Sequence, residues 1–167
     1  MLRVPTSWVI GMLVIVVILG SACGAPENAQ PACRSDSPTI LMAESVPTAS
    51  LVPCVDALPA GWTYHTFEAD ESAATFWLEQ QDGDGRLGVQ LLSSCQATGE
   101  RVALEGFPTV EQYRSVDDGG ALVVWTSTFP GGCVREQLSF PAPPTALDVD
   151  RIHRAISFLP RDSLRPA

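Results

Sequence analysis

From Trp62 onward the side chains alternate, and that alternation limits the fold more than any other feature. A repeat of two marks a strand with one buried face. In residues 121–129, Ala121, Val123, Trp125, Ser127 and Phe129 face one way, and Leu122, Val124, Thr126 and Thr128 the other. Residues 133–140 set Val134, Glu136, Leu138 and Phe140 against Cys133, Arg135, Gln137 and Ser139. Upstream, Trp62, Tyr64 and Thr66 oppose Thr63, His65 and Phe67; Phe76 and Leu78 oppose Trp77 and Glu79; and Leu87, Val89 and Leu91 share a face. Turn residues ("QDGDGR", Asp117-Asp118-Gly119-Gly120 and "PGG") separate these runs, and residues 101–116 are less regular. After Pro143-Pro144, Thr145 and Asp148 form a capping-box pattern, with Val149, Ile152, Ile156 and Leu159 on one helical face until Pro160. The expectation is an α+β domain: an antiparallel sheet of about six strands with one C-terminal helix packed on it.

A separate apolar segment, expected to form a signal or anchor helix, precedes this domain. Residues 8–22 carry no charge, which is short of the ~20 residues a bilayer-spanning helix needs but suits a signal-peptide core. Gly20-Ser21-Ala22-Cys23 then resembles the lipobox of bacterial lipoproteins, in which the cysteine sulfur takes a diacylglycerol group and becomes the first mature residue. Gly20 stands where that motif usually has leucine, and Leu19 sits one place too early. Ordinary secretory cleavage, using Ala22 with Gly20 or Ala25 with Cys23, and an uncleaved anchor are the other two readings. All three put the body outside the cytoplasm. The expected organisation is a signal peptide with lipobox over 1–22, a tether over 23–31 and an exported α+β domain over 32–167, at the extracytoplasmic face of the cell membrane with Cys23 as the lipid attachment.

Setting Cys23 aside leaves Cys33, Cys54, Cys95 and Cys133, which suggests two disulfides with three possible connectivities. The preferred pairs are Cys33 with Cys54, stapling the apolar stretch "TILMAESV" onto the domain, and Cys95 with Cys133, tying distant parts of the sheet. No C-x-x-C spacing supports a redox or zinc motif. The net charge is −9, and loss of Arg3 with the first 22 residues makes it −10. A body this acidic repels phosphate backbones, so nucleic acid is not an expected partner. The membrane partner is reached through the lipid on Cys23, and no particular protein partner is indicated.

Chemistry-bearing residues are sparse. In "DGDGR" an EF-hand register would put Leu91 where the bidentate carboxylate belongs, so the segment reads as a hairpin turn. His65 and His153 lack a second ligand at metal spacing, and no metal or cofactor is expected. Nucleophile motifs are absent, and Asp70-Glu71 and Asp117-Asp118 read as turn residues. Trp62, Trp77 and Trp125 could line an aromatic ligand cleft or fill the core.

"SVPTASLVPCV", "LPAGW" and "FPGGCV" resemble a group of uncharacterised actinobacterial envelope proteins, over about Ile40 to the C-terminus. That resemblance implies export and a single domain and supplies no catalytic residues. The leading expectation is a non-catalytic exported lipoprotein with a binding or accessory role at the cell envelope. Its rivals are a carrier or sensor of small hydrophobic ligands, and a hydrolase with a nucleophile brought to His65 or His153 by the fold.

Overall fold

The structure is a computed structural model that describes residues 30–164 except Asp84. The signal segment, the proposed lipid site at Cys23 and nearly all of the tether lie outside the described residues. Seven antiparallel strands form the main sheet: β2 (Trp62–Asp70), β3 (Ala73–Gln80), β4 (Arg86–Leu92), β5 (Glu100–Val102), β6 (Glu111–Val116), β7 (Leu122–Phe129) and β8 (Gly132–Ser139). Their spatial order is β2-β3-β4-β8-β7-β6-β5. A two-stranded ribbon pairs β1 (Leu51–Val55) with β9 (Ile156–Pro160), and the helices are α1 (Ser37–Ser45) and α2 (Ala146–His153).

The strand alternation becomes three buried rows across the sheet. Leu78, Leu87, Leu138 and Val123 lie side by side, as do Ala74, Leu91, Val134 and Ser127. Between them runs Phe76, Val89, Glu136 and Trp125. Each of these twelve side chains is buried. Met42 and Val46 of α1, Val52 and Phe158 of the ribbon, and Val149 and Ile152 of α2 join the same core. Fully burying one such aliphatic side chain contributes about 1.5–3 kcal/mol, so this layer holds helices and ribbon on one face of the sheet.

"TILMAESV" does dock, and it does so as α1. Asp36 and Thr39 form a reciprocal capping box, each side chain accepting the other's backbone N–H at 3.2 Å. At the other end the Arg161 guanidinium donates to the carbonyls of Ala43 and Val46, and the Val46 carbonyl also accepts from the Ala49 N–H. The β7–β8 turn is clasped from the same side. Gly131, at φ +78°, lies against the Thr48 carbonyl, where a Cβ would collide, and Thr48 Oγ1 donates to its carbonyl at 2.6 Å. "DGDGR" lies in the β3–β4 hairpin, with Gly83 at φ +76° and the Gln80 N–H bonded to the Gly85 carbonyl.

Two expectations change. The sheet and ribbon hold nine strands where about six were expected, because β1 and β9 build a second sheet and the three-residue β5 adds an edge. The C-terminal helix ends at His153 and does not run on to Pro160. Ile156 and Leu159 fit the helical phase, but 156–160 also alternates, with Ile156 and Phe158 inward, and β1 offers it a ladder: Val52 opposite Leu159 and Cys54 opposite Ser157. Thr145 caps α2 by accepting the Asp148 N–H, while the shorter Asp148 carboxylate takes the Thr145 hydroxyl rather than reaching the cap backbone.

Both disulfides join the pairs preferred from sequence, Cys33–Cys54 and Cys95–Cys133. Their sequence separations of 21 and 38 residues correspond to about 3–4 kcal/mol each in the chain-entropy account. A non-reducing peptide map is expected to recover these two cross-links and no others among the four cysteines. Replacing Cys95 and Cys133 together by serine should lower unfolding stability by about 3–4 kcal/mol in urea.

Candidate ligand cleft

Glu136 belongs to the central buried row and is 1 % exposed. A carboxylate there needs a partner, and α2 supplies one. His153, the last residue of that helix, brings Nδ1 to 2.7 Å from Glu136 Oε2. The imidazole also stacks on Trp125, the cross-strand neighbour of Glu136, with centroids 4.3 Å apart and planes 4° from parallel. The Arg114 guanidinium approaches the same indole at 5.9 Å. An acid, an imidazole and an indole thus form one packed unit where helix meets sheet.

Glu136 and His153 line a cleft of about 660 Å³ between the end of α2, β9 and the segment joining β5 to β6. Its other wall is apolar, with Leu104, Phe107 and Phe158, the two phenylalanines packed edge to face at 5.5 Å. Gln112, almost fully buried, reaches the cleft from β6 and donates to Ser127 Oγ at 3.0 Å. Hydrogen-bonding groups facing an aromatic wall suit an amphipathic small molecule.

Burial acts first on His153 and lowers its pKa, by penalising the charged ring. The Glu136 charge and hydrogen bond, with the Asp150 charge, outweigh burial and the opposing Arg114, and the value ends above 6.5.

The three tryptophans do not share a cleft wall. Trp125 supports the dyad. Trp62 meets Phe140 edge-on at 6.3 Å and lines a different hollow with Pro144 and Arg151. Trp77 projects from the opposite face of the sheet, because its neighbours Phe76 and Leu78 point into the core. His65 is exposed and 3.4 Å from Glu79. Among the described residues neither imidazole has a serine, threonine or cysteine as hydrogen-bond partner, and no cluster of three His, Cys, Asp or Glu has metal-binding geometry. Glu136 carried a signal in the sequence: it was the one charged residue on the inward face of Val134, Leu138 and Phe140. Gln112, Phe107 and Phe158 carried none, since they reach the cleft only through tertiary packing.

The class defined here is an α+β domain with a helix-and-ribbon layer on a seven-stranded antiparallel sheet and an acid–imidazole pair at their junction. No family model, curated protein or solved structure matches the chain.

Because the folded pKa of His153 is raised, the folded state holds its proton more tightly than the unfolded one. The resulting stabilisation is complete below pH 6.5 and is lost as pH climbs through the higher folded value. Melting temperature should therefore fall over that rise in the native protein, and Glu136→Gln should flatten this part of the profile. Glu136→Ala, which breaks a buried pair, should cost about 3–5 kcal/mol in denaturant unfolding.

Proposed function

We propose that this chain is a non-catalytic lipoprotein of the bacterial cell envelope, held at the outer face of the cytoplasmic membrane by a lipid on Cys23. Residues 32–167 form its binding or accessory domain. The observation that carries this reading is the pair of disulfides, Cys33–Cys54 and Cys95–Cys133. Such bonds form and persist in oxidising compartments, which for a bacterium lie beyond the cytoplasmic membrane. Cys23 stays outside both pairs and is left for the lipid that "GSAC" implies. Two acyl chains give stable anchoring where one does not. Among the described residues no helix is long and apolar enough to cross a membrane.

The ligand reading favours the cleft beside Glu136 and His153. Its apolar wall of Leu104, Phe107 and Phe158 also supports a carrier or sensor of small hydrophobic ligands, with phenylalanines taking the place expected of tryptophans.

Intact mass of the protein purified from membranes, alkylated without reduction, tests the proposal. The expected species begins at Cys23, carries a diacylglycerol adduct and takes up no alkyl group. A chain beginning at Met1, or a mature chain without lipid, would contradict it.

A further inference from the structure

The sheet face opposite the helices carries a further hollow. Register aligns Thr66, Trp77, Gly88, Gln137 and Val124 across β2, β3, β4, β8 and β7, one row out of phase with the core. At its centre is a shallow hollow of about 280 Å³, walled by Glu68, Thr75, Trp77, Gln90, Arg135 and Gln137 and floored by Gly88. A Cβ at Gly88 would sit 2.8 Å from Trp77 Cε3 and Cη2, so the glycine is what lets the indole lie down over the strand beside it. Over the same ring stands the Arg86 guanidinium, 4.2 Å from the centroid and 3.4 Å from Glu79.

The composition of this patch selects a ligand. An indole face attracts C–H groups that carry slight positive charge. Two primary amides provide donors and acceptors at fixed spacing around it. The charges balance, Glu68 with Arg135 and Glu79 with Arg86, on a chain whose net charge is −9. A neutral molecule with an apolar C–H face and hydroxyls at its rim matches all three properties, whereas an anion or cation finds no net field to favour it. We propose that this hollow binds a neutral glycan, a pyranose ring lying on Trp77 with its hydroxyls bonded by Gln90, Gln137, Glu68 and Arg135. Arg86, with its side chain 48 % exposed, is the movable group: the sugar takes the indole surface that the guanidinium covers in the free protein.

The test is electrophoresis of the full mature protein in native gels cast with a soluble β-glucan, a galactomannan or a xylan. At least one polysaccharide should retard the protein, and added salt should leave the retardation unchanged. Trp77→Ala should abolish it. Gln90→Ala and Gln137→Ala, which leave the core untouched, should each weaken it about three- to tenfold. Arg86→Ala should bind as tightly or more tightly. Normal migration in all three gels overturns the proposal. So does retardation that persists in Trp77→Ala and both glutamine variants, or binding lost with Arg86→Ala, which would make the guanidinium the binding group.

Discussion

A carboxylate in the middle of an apolar sheet face constrains everything packed over it. Glu136 stands between Val89 and Trp125 in the central row, and an unpaired charge there would cost several kcal/mol. The partner has to arrive from the covering layer at hydrogen-bond distance, which fixes where α2 ends. His153 is the final residue of that helix, and the chain turns at once into β9, whose pairing with β1 closes the core. Cys54, on β1, is bonded to Cys33 just before α1. The acid–imidazole pair, the ribbon and the first disulfide thus hold one continuous covering layer against the sheet.

Much of this was legible where local pattern and tertiary environment agree. The alternation in 121–129 put Ala121, Val123, Trp125, Ser127 and Phe129 on one face; the last four are buried, while Ala121 precedes the strand and is half-buried. Cysteine spacing suggested the pairs that form. Legibility failed where two periodicities coincide. Ile156 falls at offset 7 of a helical face that also holds Val149, Ile152 and Leu159, and equally alternates with Phe158 as a strand, and the choice was made by the ladder β1 offers. β1 itself contains Pro53 in a proline-rich stretch, and a strand met on its outer edge, among the described residues, by the Ala32–Val55 bridge is where such a proline survives. The opposite orientations of Trp77 and Trp125 could be read once a core face was chosen for each strand. The cleft could not, because Phe107 and Phe158 meet from segments about fifty residues apart in sequence.

The two faces of the sheet differ in kind. The covered face ends in a cleft with a buried ionisable pair and an aromatic wall, suited to enclosing a small amphipathic molecule. The open face presents an indole on a glycine floor among amides and balanced charges, suited to an extended neutral polymer. Under the proposed export and lipid attachment, the first would serve capture or sensing and the second would hold the domain against envelope glycan. These roles are compatible, since no side chain named for one site lines the other.

The most direct test of the account is the NMR titration of His153 in protein labelled with ¹⁵N at its histidines, assigned by comparison with His153→Gln. A midpoint above 6.5 is expected, with a protected Nδ1–H whose shift marks a hydrogen bond to carboxylate, and both features should be lost in Glu136→Gln. An imidazole that titrates at the ordinary 6.5 or below, with Nδ1–H exchanging freely, would contradict the buried pair and the architecture built on it.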